Sequence, residues 1–272
     1  MVEGHVSGAH RSPFHGVSAE FAQHREYTPG DDLRYVDWKI FGRTDRFYVK
    51  QFQEETNLPC YLLVDTSRSM TYRSANVRYS KLDFALRVAA ALAYLVLRQH
   101  DAVGLVCFAE TVGPAVPPSN AGGHLRSVLE TFERVQPAGA TAMRSVLDEV
   151  AARLKRRSVL LILSDCFDEV EPLFRGLKHL RHRRHDVSVL QIIDPAERDF
   201  PFQDHIEFRD LESSLRITTD AQRIRKTYHE VFAHEQRRLV RGLRDLAVDH
   251  HLVTTDVAPE AAVVGFLQRR AG

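Results

Sequence analysis

Short apolar runs alternate with longer amphipathic segments along most of the chain. The runs hold few polar residues before their last position, which is typical of parallel strands buried on both faces of a sheet. In the segments between them, apolar residues recur every three or four positions, as on one face of a helix. The predicted strands are 57–65, 103–108, 111–116, 158–165, 186–194 and 251–255, with an edge piece at 207–210, and the predicted helices are 81–99, 122–135, 142–156, 173–182, 221–249 and 259–270. This order predicts an α/β fold, a doubly wound and mainly parallel six-stranded sheet with helices on both faces.

The first part of the chain has a different pattern. Residues 1–12 are rich in Gly, Ser and His without periodicity, which predicts a flexible terminus. We expect residues 13–56 to form a small N-terminal annex ahead of the α/β domain at 57–272. Within the annex, a short helical turn is expected near Trp38 and an edge strand over 47–52.

The annex mixes positive, negative and aromatic side chains at high density. Such a mixture indicates either ion pairs around a small aromatic core or a surface that contacts another protein. Four of these residues are candidates for partner binding: Arg25, Arg34, Asp37 and Trp38.

Carboxylates and hydroxyls stand where two of the predicted strands end. Asp65 closes the first core strand and is followed by Ser67 and Ser69, while Asp165 closes a later strand and Thr141 lies just before a helix. The loops at the carboxyl ends of parallel strands open on one edge of a doubly wound sheet, so we expect these side chains to meet. Their oxygen donors suit a hard cation, Mg²⁺, Mn²⁺ or Ca²⁺. The alternative is that Asp65 and Ser67 only cap the turn that follows them.

Charge and hydropathy exclude several classes of partner. The 272 residues include 37 Lys and Arg against 36 Asp and Glu, which gives a net charge of +1. This balance gives no electrostatic reason to expect a nucleic acid or an anionic membrane. The longest apolar run, 88–97, is about half as long as the ~20 residues that a membrane span needs. The N-terminus is polar and lacks a signal-peptide pattern, so we expect a cytoplasmic protein.

Cysteine and histidine give no sign of another kind of site. The three cysteines are far apart, without a Cys-x-x-Cys pair, which favours inert thiols in a reducing compartment. Three histidines, His179, His182 and His185, lie in a strongly basic stretch. Because neighbouring cations repel a divalent metal, this stretch predicts a solvated helix face rather than a zinc site.

The Asp-x-Ser-x-Ser motif, followed by the later Thr and Asp, resembles the von Willebrand factor type A domain over residues 58–256. That family has a Rossmann-like fold, and these positions form its metal-ion-dependent adhesion site. The resemblance implies that Ser67, Ser69, Thr141, Asp65 and Asp165 contact the metal directly or through water. It also implies that a carboxylate from a partner completes the coordination shell.

Further motifs resemble the bacterial domain-of-unknown-function 58 family over nearly the whole chain. They include Glu20-Phe21, Arg25-x-Tyr27, Pro29-Gly30-Asp31-Asp32-x-Arg34, Asp37-Trp38, Asp194-Pro195-x-Glu197 and Thr227-Tyr228. Members of that family are often encoded beside MoxR-type AAA ATPases. The resemblance therefore implies a MoxR-type ATPase or its client as the partner. The implied role is chaperone-like, in the assembly or maturation of protein complexes.

The sequence thus favours a non-enzymatic, metal-dependent protein-binding module that takes an Asp or Glu from its partner. One alternative is an Mg²⁺-dependent phosphohydrolase with Asp65 as the nucleophile. Such enzymes typically have a second Asp where this chain has Ser67, and the Gly-x-Ser-x-Gly, Gly-x-x-x-x-Gly-Lys and Gly-x-Gly-x-x-Gly motifs are absent. The other alternative is a structural scaffold whose metal site stays empty.

Overall fold

The computed structural model describes residues 17–28, 31, 36–56, 58–167 and 169–271. The chain divides into two compact units, a small unit at Met1–Leu58 and a large unit at Pro59–Gly272. The elements in chain order are β1 (Val17–Glu26), α1 (Trp38–Thr44), β2 (Tyr48–Thr56), β3 (Cys60–Asp65), a 3₁₀ turn (Ser69–Thr71), α2 (Lys81–Arg98), β4 (Val103–Phe108), β5 (Val112–Ser119), α3 (His124–Glu133), α4 (Met143–Arg153), β6 (Val159–Ser164), α5 (Val170–His182), β7 (Asp186–Ile193), α6 (Pro195–Asp199), β8 (His205–Arg209), β9 (Arg216–Asp220), α7 (Ala221–Asp245), β10 (Asp249–Thr254) and α8 (Pro259–Ala271).

The large unit is built on one six-stranded sheet with the strand order β10-β7-β6-β3-β4-β5. Neighbouring strands are parallel except for β5, which pairs antiparallel with β4 at one edge. The chain runs outward from β3 through β4 to β5 and then returns to β6 on the other side of β3. This reversal between β3 and β6 is where a doubly wound sheet opens a crevice at the carboxyl ends of its strands. The predicted six-stranded, mainly parallel sheet is confirmed.

Helices cover the sheet and bury the apolar residues of its central strands. Leu63, Leu160 and Ile162 belong to a core that they share with residues of α4, α5 and α7. Helix α2 packs against β3 outside this core, and its Phe84 and Leu92 are fully buried. Burial on both faces explains why the central strands are continuous apolar runs rather than alternating ones.

Helix α2 begins with a capped first turn. The hydroxyl of Ser80 accepts a hydrogen bond from the backbone N–H of Asp83 at 3.0 Å, which caps the first turn. This cap makes Lys81 the first residue of the helix, and the lysine is buried there.

Several elements of the large unit differ from the sequence prediction. The piece expected at 207–210 is not an edge of the main sheet, because β8 pairs with β9 in a separate antiparallel hairpin. Neither β9 nor the short helix α6 is predicted by the apolar pattern. The helix expected over 221–249 ends at Asp245, because the residues from Asp249 onward join the sheet beside β7.

The small unit contains an antiparallel pair, β1 with β2, and the short helix α1. Strand β2 overlaps the strand expected at 47–52 but pairs with β1, which the sequence did not predict as a strand. Helix α1 begins at Trp38, near the expected helical turn. The segment 1–12 lies outside the described residues, and the limits 13–56 and 57–272 stay predictions.

Gly176→Ala is expected to destabilise the protein although alanine is the better helix former. Gly176 lies inside α5, where an added Cβ would come within 2.7 Å of the Cβ of Leu147 on α4. Overpacking of this kind costs roughly 1–3 kcal/mol of unfolding free energy, which urea denaturation followed by circular dichroism would measure. Gly265→Ala in α8 is the matched control, because its Cβ would meet its nearest neighbour at 3.6 Å. Equal stability of the two variants would contradict the packing argument.

Candidate metal site

Asp65 is the last residue of β3 and is fully buried at the reversal point of the sheet. Its Oδ1 accepts a hydrogen bond from the backbone N–H of Ser67 at 3.0 Å. Its Oδ2 accepts one from the hydroxyl of Ser164 at 2.7 Å and a longer one from the hydroxyl of Thr141 at 3.4 Å. Three separate segments of the chain therefore meet at one carboxyl group.

The surroundings of Asp65 disfavour its negative charge. Burial raises the pKa of Asp65 to about 7, and the charge of Asp165 acts in the same direction, whereas hydrogen bonds from Ser164 and Ser67 oppose the shift. At neutral pH the carboxyl group is therefore divided between its two protonation states. A divalent cation beside it would favour the ionised form.

Two serine hydroxyls next to this carboxyl group are hydrogen-bonded to each other. The Oγ atoms of Ser67 and Ser69 lie 2.9 Å apart. Neighbouring oxygens in an octahedral Mg²⁺ shell with bonds of about 2.0–2.1 Å are also separated by roughly 2.9 Å. Ser67 is fully buried, whereas Ser69 faces a cavity of about 370 Å³ that Thr141 and Asp165 also line. The donor set thus fits a hard divalent cation that is accessible from one side.

The structure brings all five predicted metal ligands to this place, although metal binding itself stays a prediction. Within the described residues, no group of three or more His, Cys, Asp or Glu side chains is arranged to hold a metal. The candidate site is of a different kind, because three of its five donors are hydroxyls and only two are carboxylates. Oxygen-only sites of this sort suit Mg²⁺ and Mn²⁺ better than zinc.

A buried lysine that no sequence motif indicates also lines this cavity. Lys81 is 1% exposed, and its Nζ lies 2.7 Å from Oδ2 of Asp165 and 2.6 Å from Oε1 of Glu197. Burial alone would lower the pKa of Lys81, but the charges of Asp165 and Glu197 outweigh burial and raise it. Lys81 is therefore a fixed positive charge inside the site. The sequence gives no signal for it, because a lysine at a helix start is usually exposed.

Glu197 connects the site to helix α6. Its Oε2 accepts a hydrogen bond from the backbone N–H of Asp194 at 2.8 Å, as part of a capping box that starts the helix. Its Oε1 pairs with Lys81. Burial raises the pKa of Glu197, and the charge of Lys81 opposes that shift. The capping glutamate and the metal-site lysine therefore stabilise each other.

The β8–β9 hairpin also reaches the site. Glu212, in the connection between the two strands, accepts a hydrogen bond from the backbone N–H of Ser69 at 3.3 Å. Its side chain lines the same cavity, together with Arg209, Asp210 and Leu211. Nothing in the sequence pattern signals this contact, because it joins residues 143 positions apart.

The prediction of a solvated histidine face is wrong for His185. This residue follows the end of α5, is 2% exposed, and has no hydrogen-bond partner for either ring nitrogen among the described residues. Burial lowers the pKa of His185, and the nearby Arg183 and His179 lower it further. The ring is therefore neutral at physiological pH and packs as part of the interior.

The cysteines agree with the expectation of inert thiols. All three are free and buried. Burial raises the pKa of Cys60 and Cys107 to about 12, and it raises the pKa of Cys166 as well. Thiols of this kind stay protonated and unreactive at neutral pH.

In the small unit, the four residues predicted to bind a partner differ in their surroundings. Arg25 forms an ion pair with Asp31 at 2.8 Å. Asp37 is buried, and its carboxylate caps the first turn of α1. Trp38 is 61% exposed, and Arg34 lies outside the described residues. Two of the four side chains thus help to hold the unit together, and partner binding by this set stays a prediction.

Solved structures share the fold of the chain. The conserved hypothetical protein BatB from Bacteroides thetaiotaomicron superposes with a TM-score of 0.51 at 15% identity, over 79% of this chain and 98% of that one. An aerotolerance-related membrane protein from Bacteroides fragilis superposes with a TM-score of 0.54 at 16% identity, over 78% of this chain and 98% of that one. The fold is therefore of the von Willebrand factor type A-like class.

Comparison of the sequence with known protein families identifies the family of the chain. The family model described as "Protein of unknown function DUF58" matches residues 23–238, and the chain belongs to this family. The uncharacterized proteins Rv1480 of Mycobacterium tuberculosis and Mb1516 of Mycobacterium bovis are each 27% identical to it over 217 residues, which is 79% of this chain and 67% of theirs. The family resemblance noted in the motifs is confirmed. In the described parts of the chain, no helix combines the length and the apolar composition needed to cross a membrane.

Proposed function

We propose that this protein is a non-enzymatic, metal-dependent protein-binding module that presents Mg²⁺ or Mn²⁺ to an acidic residue of a partner. The observation that carries the proposal is that the buried carboxyl group of Asp65 and the hydroxyls of Ser67, Ser69 and Thr141 lie together beside Asp165. The proposed metal ligands, directly or through water, are Asp65, Ser67, Ser69, Thr141 and Asp165. The cavity on one side of this set leaves room for a ligand from another molecule.

The charges of the site favour a divalent cation. Asp65, Asp165 and Glu197 supply three carboxylates, and Lys81 supplies one ammonium group. With all four ionised, these groups carry a net charge of minus two, which attracts a divalent cation. Because Lys81 already pairs with Asp165, the proposed ligands neutralise a bound cation only in part, and positive charge remains on the cavity side. A carboxylate from a partner would bind there.

The rim of the cavity suits a protein partner. Phe167 is 44% exposed and Leu211 is 40% exposed, and both line the cavity. Apolar side chains around a polar centre are typical of surfaces that bind proteins. We therefore propose that the partner offers an Asp or Glu flanked by apolar residues. On the ground of family resemblance, the proposed partner is a MoxR-type AAA ATPase or its client, and the proposed role is in the assembly or maturation of protein complexes.

Two observations speak against the phosphohydrolase alternative. Asp65 is fully buried and both of its oxygens accept hydrogen bonds, so it is poorly placed to attack a phosphoryl group. Lys81 is held by two carboxylates instead of being available to phosphoryl oxygens. Both features support a binding role without catalysis.

Ser67→Ala is expected to weaken Mn²⁺ binding by roughly 10–100-fold, since the variant removes one hydroxyl of the closely spaced pair. Isothermal titration calorimetry with Mn²⁺ measures the effect. A purified MoxR-type ATPase is then tested for binding to the immobilised protein in Mg²⁺ and in EDTA. We expect the wild type to retain it only in Mg²⁺ and the variant to lose it in both.

The matched control is Ser127→Ala, which removes an exposed hydroxyl on α3. This variant should bind Mn²⁺ and the ATPase like the wild type. Equal Mn²⁺ affinity of the two serine variants would show that the paired hydroxyls hold no metal. Capture that persists in EDTA would assign binding to another surface and contradict the proposal.

A further inference from the structure

The tip of the β8–β9 hairpin, residues 210–215, has a defined conformation. The carboxylate of Asp210 accepts a hydrogen bond from the backbone N–H of Glu212 at 3.0 Å and another from the hydroxyl of Ser213. The backbone N–H of Asp210 donates to the carbonyl of Leu215 at 3.0 Å. These contacts fix the backbone of the tip and so determine where the side chain of Glu212 points.

Glu212 points at the candidate metal site. Its Oε1 accepts the hydrogen bond from the N–H of Ser69, the residue whose hydroxyl faces the cavity, and its side chain lines that cavity with Thr141 and Asp165. Two carboxylates, those of Glu212 and Asp165, therefore line the same cavity as Ser69 and Thr141. Arg209 also lines the cavity, but its guanidinium group contacts Glu207.

We propose that Glu212 is an internal acidic ligand of the metal, in the position that a partner's carboxylate would otherwise take. This inference rests on the proposed function, because it assigns an occupant to the open side of the same site. The carboxylate belongs to the donor class that Mg²⁺ and Mn²⁺ accept. The free protein then covers its own metal, and a partner binds by displacing the hairpin tip.

The composition of the tip specifies the partner further. Leu211 is 40% exposed and Leu215 is 58% exposed, on either side of Glu212 in the sequence. The internal ligand is thus an acidic residue between two leucines. A segment that displaces it must present a carboxylate, and the exposed Phe167 on the cavity wall favours an apolar side chain beside it. The expected partner motif is therefore an acidic residue next to a large apolar residue.

The experiment uses Mn²⁺ as the probe with the full chain, as wild type, Glu212→Gln and Glu133→Gln. Glu133→Gln is the matched control, because it makes the same charge change at an exposed residue of α3 that does not line the cavity. Electron paramagnetic resonance gives the Mn²⁺ affinity, and water-proton relaxation reports the exchangeable waters on the bound ion. Circular dichroism confirms that each variant is folded.

Glu212→Gln is expected to weaken Mn²⁺ binding by roughly tenfold, while the bound ion gains exchangeable water. Acetate, added as a minimal carboxylate, should then displace that water at a roughly tenfold lower concentration than in the wild type, because the competing internal ligand is gone. Glu133→Gln should match the wild type in both measurements.

The metal site and its internal ligand can be disproved separately. If Glu212→Gln equals the wild type in Mn²⁺ affinity, relaxation and acetate response while Ser67→Ala loses Mn²⁺, the metal site stands and Glu212 is not its ligand. If the wild type itself binds no Mn²⁺, the proposed function is wrong and the inference is overturned with it.

Discussion

Lys81→Met is expected to lower the free energy of unfolding by about 3–5 kcal/mol, the usual cost of removing one partner from a buried ion pair. The side chains of Lys81 and Asp165 are 1% and 3% exposed, and Glu197 shares the same ammonium group. Methionine fills a similar volume but leaves two carboxylates without their counter-charge. Urea denaturation at neutral pH in EDTA, followed by circular dichroism, measures the loss.

Two comparisons separate this effect from a general effect of replacing lysine. Lys178→Met on α5 replaces an exposed lysine and should change stability by no more than about 0.5 kcal/mol. Lowering the pH should shrink the loss in Lys81→Met, because Glu197, whose pKa burial already raises, can then be buried as a neutral acid. A loss below about 1 kcal/mol at neutral pH would mean that the ammonium group does not hold the site together.

Asp65→Asn is expected to abolish stabilisation by Mg²⁺ and, in EDTA, to leave the protein at least as stable as the wild type above neutral pH. Burial raises the pKa of Asp65 from its ordinary value of 3.8 to about 7. Because folding favours the protonated form, this group's contribution is complete below about pH 4 and is lost as the pH rises through 7. The loss amounts to at most roughly 4 kcal/mol, and asparagine, which does not ionise, avoids it.

The measurement is a set of urea denaturation curves between about pH 5 and pH 8, in EDTA and in Mg²⁺. Burial lowers the pKa of His250 to about 4, and this adds a pH dependence of the opposite sign, so the test is the difference in stability between wild type and variant. In EDTA, the stability of the wild type relative to Asp65→Asn should fall as the pH rises, and Mg²⁺ should restore it by binding the ionised carboxyl group. Asp245→Asn, at the exposed end of α7, should follow the wild type. A difference between the wild type and Asp65→Asn that stays constant with pH in EDTA would contradict the raised pKa of Asp65.

The core strands could be predicted because burial on both faces requires a continuous run of apolar residues. Strands β3, β4 and β6 are covered on both faces, so nearly every residue is apolar and the run stands out. Strand β9, with the sequence RITTD, is largely exposed in a small hairpin, so no apolar run marks it in the sequence. Strand β1 likewise belongs to a two-stranded pair outside the main sheet. Where a strand has no buried face, the apolar pattern carries little information.

The residues of the candidate site also differ in whether a local sequence pattern predicts them. Asp65, Ser67 and Ser69 follow one strand at fixed spacing, so a short motif reveals them. The contacts of Lys81 with Asp165 and Glu197 join residues 84 and 116 positions apart. Such pairs form only when the tertiary fold brings the start of a helix next to distant loops. A local sequence pattern contains no information on this placement. The part that Lys81 and Glu197 play in the charge of the site was therefore found only in the structure.

The base of the β8–β9 hairpin is anchored by contacts that do not involve its tip. The backbone N–H of Ala221 donates to the carbonyl of Asp204 at 2.9 Å, and Asp220 caps the first turn of α7. The ring of Phe208 stacks on that of Phe200, with 5.7 Å between ring centroids. These contacts lie outside residues 210–215, so a displacement of the tip would leave α7 and the strand pairing intact. An exchange of Glu212 for an external carboxylate would then require no unfolding of the hairpin base.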